Sequence, residues 1–268
     1  MGEMTPMDSA ALQVAVHKLE TQSAAMKVAE RLGMPIEALM RRLPLNAQRA
    51  VHGAVNKALG KCLRIALKAG PGVMPRPIAK TKRVHTATVA VSGAVGGFFG
   101  LPGLLIELPI TTTVMLHSIV EIARSEGEDL RNPGSALACL EVFALGPDRV
   151  NADALESAYY VSRAALAQAT REASAFLVQK SVAKEGAPAL VSFLGKVAAR
   201  FGLEVSEKLA AELVPIAGAA GGMTLNILFS NHFQGLAEGH FTVRRLERTY
   251  GAEAVRRGYE RARLMLRA

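Results

Sequence analysis

Residues 47–69 read AQRAVHGAVNKALGKCLRIALKA, and the placement of charge in that string decides the class of fold. Wound at about 100° per residue, Arg49, Lys57, Lys61, Arg64 and Lys68 fall in one sector. Val51, Val55, Leu59, Cys62, Leu63 and Ala66 fall opposite. The string holds no Asp or Glu. So basic a face suits a helix lying on an anionic membrane, where each Lys or Arg contributes roughly 1 kcal/mol. The plainer alternative is a surface helix of a basic protein, and the string has no aromatic anchor.

Outward from this segment the same period persists. Ala, Leu and Val supply most of the apolar surface, while the strand-favouring residues are sparse and scattered. The reading is all-α, a helical bundle. A first helix is expected from a cap at Asp8 or Ser9 to about Leu32, closed by Gly33. A short helix is expected over 36–42, and Asn46 opens the next one. GPGVMPRP (70–77) forbids a continuous helix and marks the boundary between an N-terminal region, 1–76, and a larger helical domain, 77–268. Asn132-Pro133 starts a helix that Gly146-Pro147 ends. Residues 150–212 read as two or three amphipathic helices broken near Gly186–Pro188.

Two stretches depart from this amphipathic pattern. Thr86 to Ile106 is 21 residues without a formal charge, followed by Glu107 and a further uncharged run to Val120. Gly93, Gly96, Gly97, Gly100 and Gly103 interrupt the first run, so two helices joined near 100–103 fit better than one span. The second run, Leu213 to Ala237, contains Gly218, Gly221 and Gly222. Such glycines let backbones approach closely, in lipid or in a buried hairpin. GAVGG (93–97) matches GAAGG (218–222), and the spacing His117–Arg124–Gly127 parallels His240–Arg248–Gly251. An internal repeat of glycine-rich apolar hairpins is one explanation, and chance likeness between alanine- and glycine-rich segments is the other.

Composition narrows the function. Half the residues are hydrophobic, which excludes disorder. Net charge is +9, but Ala38 to Ile106 alone carries eleven cations, Lys80, Lys82 and Arg83 among them, and no acid. Arg244, Arg245 and Arg248 belong to a second basic cluster, with eight arginines over 240–268. The first fourteen residues, MGEMTPMDSAALQV, lack a basic n-region and an apolar core, so the chain is expected to begin in a reducing cytoplasm. Cys62 and Cys139 are too few for a disulfide framework or a cysteine metal site and read as small core residues.

Nucleic-acid binding is not expected, because no aromatics alternate with the basic residues. His232, Glu238 and His240 lie close in sequence without a zinc-ligand spacing such as HExxH, so no metal and no cofactor are expected. GxSxG and GxxxxGKS/T are both absent. Glu107, within GLPGLLIELPIT, needs a partner if buried; Arg83, His117 or an arginine near 244–248 are the candidates. A catalytic reading would join Glu107 to His117 or His232 as acid and base.

The block VSGAVGGFFGLPGLLIELPITTTVMLHSIVEIARSEGEDLRNPGSALACLEVFALG (91–146) resembles the centre of the EcsC family. It shares a glycine-rich apolar turn, a Pro-Gly, an acid before Leu-Pro, and a helix ending near Ile-Ala. VPIAGAAGGMTLNILFSNHFQGLAEGHFTVRRLERTYG (214–251) is similar to a second family stretch. At the acid, the family more often carries Asp where this chain has Glu107. The resemblance implies no catalytic set; the family takes its name from a gene neighbouring an ABC transporter linked to protein secretion. The leading expectation is a non-enzymatic accessory protein at the inner face of the cell membrane, binding anionic lipid or an integral membrane partner. A soluble helical hydrolase and a soluble protein-binding scaffold remain the alternatives.

Overall fold

The structure, a computed structural model, describes residues 4–20, 45–68, 103, 105–146, 157–179, 187–212 and 218–267. Among them there are eight α-helices and no strand: α1 (Pro6–Glu20), α2 (Leu45–Lys68), α3 (Leu105–Ser125), α4 (Pro133–Glu141), α5 (Ala158–Gln179), α6 (Pro188–Glu212), α7 (Gly218–Tyr250) and α8 (Ala252–Arg267). A 3-10 turn over Val142–Ala144 prolongs α4. The linker 70–77, the helix expected over 36–42, Lys80, Lys82, Arg83 and the glycines at 93, 96, 97 and 100 lie outside the described residues.

Helix starts follow their local chemistry. Asn132 caps α4, its side chain accepting from the Gly134 N–H at 2.8 Å, with Pro133 in the first turn. The start of α1 differs from expectation. Thr5, not Asp8 or Ser9, is its cap: the Thr5 hydroxyl accepts from the Asp8 N–H at 3.1 Å and donates to the Asp8 carboxylate at 3.0 Å. Pro6 fits the first helical position, where a missing N–H costs nothing, and so lets the helix begin earlier.

Helix ends follow glycine. After α3, the Gly127 N–H donates to the Arg124 carbonyl and the Glu128 N–H to the Ala123 carbonyl, with Gly127 at φ +79°. That six-to-one plus five-to-two pair is a Schellman stop, which needs a left-handed residue. Gly251, at φ +86°, separates α7 from α8 in the same region of backbone space. The two glycines aligned by the sequence parallel therefore share a role. The aligned histidines do not, since His117 is exposed and His240 fully buried.

α1 packs on α7 and α8, α2 on α4 and α6, and α5 on α4 and α6. One continuous core joins them. At its centre the rings of Phe143, Phe201, Phe229 and Phe233 meet at centroid distances of 4.9 to 6.1 Å. α7 is a single helix of 33 residues, about 50 Å long, with Gly218, Gly221 and Gly222 within its first turns rather than at a bend. A glycine that does mediate close approach stands further along: a Cβ on Gly239 would lie 2.7 Å from Leu19 Cγ and 2.9 Å from the Ala15 carbonyl oxygen of α1.

Candidate functional site

α2 presents the two faces that its sequence spacing predicts. Val51, Val55, Leu59, Cys62, Leu63 and Ala66 are buried, the side chains that fix α2 on α4 and α6. Arg49, Lys57, Lys61, Arg64 and Lys68 are all exposed. Among the described residues no ion pair involves Arg49, Lys57, Lys61 or Lys68. From Arg49 to Lys68 the ridge runs about 28 Å along the helix. Inward, Cys62 sits against the Thr112 carbonyl of α3, and burial pushes its thiol up to about 12. Cys139 is likewise buried, its thiol raised by desolvation. Neither is an activated nucleophile.

α3 carries the first acid after the apolar run. Ile106 and Ile110 point outward, 72% and 48% exposed, while Glu107 between them points inward. Among the described residues α3 is the one helix long and apolar enough to cross a membrane, with mean hydropathy 1.4. A buried core helix passes the same test, and 56% of that window is packed against the rest of the protein.

Glu107 does have partners among the described residues, and they are neither His117 nor the arginines at 244, 245 and 248, while Arg83 lies outside those residues. Its Oε1 accepts from Lys208 Nζ of α6 at 3.0 Å, from Thr111 Oγ1 at 3.1 Å, and from the Asn226 side chain of α7. Lys208 is 1% exposed, and its ammonium lies 5.5 Å from the centre of the Phe229 ring. The second carboxylate oxygen, Oε2, is buried without a hydrogen bond. His117 stands ten residues further along α3, about 15 Å away, with its Nδ1 at 2.9 Å from the Thr113 carbonyl. His232 packs edge-on to Phe233, and desolvation pushes it down to about 4. Glu107, His117 and His232 are therefore not assembled into an acid–base set. Among the described residues no three metal-ligating side chains gather.

The C-terminal arginines face a different set of acids. Arg244 bridges Glu128 through two hydrogen bonds at 2.8 and 3.1 Å, and Arg248 bonds the same carboxylate. Arg245 spans Glu126 at 2.8 Å and Asp8 at 3.0 Å. Burial alone would raise the Glu128 carboxyl, but bonds from Arg244 and Ser135 and the charges of Arg244 and Arg248 hold it at about 2. These three arginines fasten the α3 stop and the α1 start to α7. Of the predicted binding residues that the structure describes, those on α2 are the ones outside these clamps.

A buried polar chain has no counterpart in the sequence reading. Neutral His240 meets the Tyr159 hydroxyl at 3.0 Å; Arg163 donates to that hydroxyl at 3.2 Å and pairs with Glu247 through two bonds. Glu141, 3.9 Å from His240 Nε2, accepts from Thr170. Desolvation, then the charges of Arg163 and Arg244, keep His240 well below its usual range. The contributing side chains are spread along the chain from residue 141 to residue 247, so no local motif announces them.

No curated protein and no solved structure matches this chain. The sequence profile of the EcsC protein family matches residues 9–246. That span takes in most of α1, the α2 ridge, the Glu107 centre and the arginines at 244 and 245, and the chain belongs to the EcsC family.

Proposed function

We propose that the protein is a non-enzymatic accessory protein that docks on the anionic inner face of the cell membrane and there serves an integral membrane partner. One observation carries the reading: the α2 ridge displays Arg49, Lys57, Lys61, Arg64 and Lys68 to solvent on a helix without a single acid. The opposite face of α2 is anchored in the core, so the cations are held as an array and cost little ordering on contact with headgroups. The outward Ile106 and Ile110 supply an apolar contribution near the start of α3. A transporter or secretion component is the kind of partner the family suggests.

Co-sedimentation with anionic and with neutral vesicles, at low and high salt, tests this. Binding confined to anionic vesicles and weakened by salt is the expected result. A K57Q/K61Q/R64Q/K68Q variant should lose most of it, by roughly 1 kcal/mol per cation. Protein that stays in the supernatant with every vesicle type would overturn the reading.

A further inference from the structure

The outward stripe of α8 changes character along its length. Arg257, Arg261, Leu264 and Met265 follow the spacing i, i+4, i+7, i+8 and so share one face. All four are exposed. The opposite face is buried through Val255, Tyr259 and Ala262, which fix α8 on α1 and α7. In the last turn Leu264, Met265 and Leu266 are 61%, 70% and 49% exposed, the one run of three consecutive exposed large apolar side chains among the described residues. Soluble surfaces rarely leave such a run uncovered.

Charge decides what covers it. Arg261 stands one turn behind the apolar tip, and Arg257 two turns behind. The Arg257–Glu253 contact at 3.3 Å joins side chains 66% and 72% exposed, a pair too solvated to withhold Arg257 from a stronger anion. Arg257 and Arg261 precede the apolar run by two turns and one turn, and Arg267 follows Leu266 directly, so cations bracket the run along the helix, as suits a bilayer surface where acyl boundary and phosphate adjoin. A neutral apolar protein groove would leave the arginines without a counterpart.

We infer that the last turn of α8 is a second membrane contact, with Leu264 and Met265 entering the acyl boundary of an anionic bilayer while Arg257 and Arg261 bind lipid phosphates. This rests on the docking reading above and divides the work. The α2 ridge supplies the salt-sensitive attraction, and the α8 tip supplies the salt-resistant hold.

The chain has no tryptophan, so Met265→Trp gives a single reporter at an exposed position. With vesicles of phosphatidylcholine and phosphatidylglycerol, the expected result is a blue shift of its emission and severalfold stronger quenching by brominated lipid than by aqueous iodide. A Leu264→Ser/Met265→Ser variant should keep its salt-sensitive binding and lose the part that persists at high salt. Co-sedimentation of the Met265→Trp variant with its indole emission unshifted and open to iodide would overturn the α8 contact and leave the α2 reading standing. Failure of every variant and the parent to sediment would overturn both.

Discussion

Burial of Glu107 against Lys208 fixes two charges at a desolvation cost, and removing one partner strands the other. Lys208→Met should therefore lower unfolding free energy by about 3 kcal/mol or more in urea titrations. Glu107→Met/Lys208→Met should recover most of that loss, a non-additivity that a double-mutant cycle reads directly. Gly239 is held to glycine by its packing. A Cβ there meets both the Ala15 carbonyl and Leu19, so Gly239→Ala should push α1 off α7 and cost about 1–3 kcal/mol in the same assay. That Glu107 needs a partner is legible in its apolar surroundings. The identity of the partner is not, since Lys208 lies 101 residues away and only the packing of α6 on α3 brings it near. His117, nearer in sequence, is carried away by the rise of the helix.

At the scale of elements, what sequence reveals is what local periodicity encodes. Both faces of α2 can be read from its string, as can the Asn132-Pro133 start and, from the break expected near Gly186–Pro188, the start of α6 at Pro188. The fastenings of α7 to α1 and α3 cannot, because each is a contact between segments more than a hundred residues apart. The arginines at 244, 245 and 248 show the limit well: as a string they are a basic cluster, and as a structure they are clamps on Glu126, Glu128 and Asp8. The Glu128 clamp gives a signed acid response. Its carboxyl sits at about 2 when folded against an ordinary 4.5, so the stability it contributes is complete above pH 4.5. That share, about 3 kcal/mol, is lost as pH falls toward 2. Arg244→Gln should flatten this limb of a stability–pH curve, at the cost of a lower plateau at neutral pH.

For the whole molecule, acid acts earlier through histidine. His232 titrates at about 4 when folded against 6.5 when unfolded, and His240 is shifted in the same direction. The unfolded chain takes up protons first, so stability declines as pH falls below 6.5, before the Glu128 limb begins. A His232→Leu variant should show a shallower decline between pH 6.5 and 4 in urea midpoints. The fold places α3 and α7 side by side with matched fastenings. Glu107 meets Asn226 near one end, and Glu126 meets Thr242 and Arg245 at the other. Residues 107 and 126, and residues 226 and 245, are each separated by about 28 Å of helix, so the two run parallel and in step. Two rivets at equal spacing forbid sliding: an axial slip of even one residue, about 1.5 Å, breaks both ends together. The pair therefore moves as a single plate or comes apart as one, and amide protons in the middle of α3 and α7 should exchange with one common opening rate.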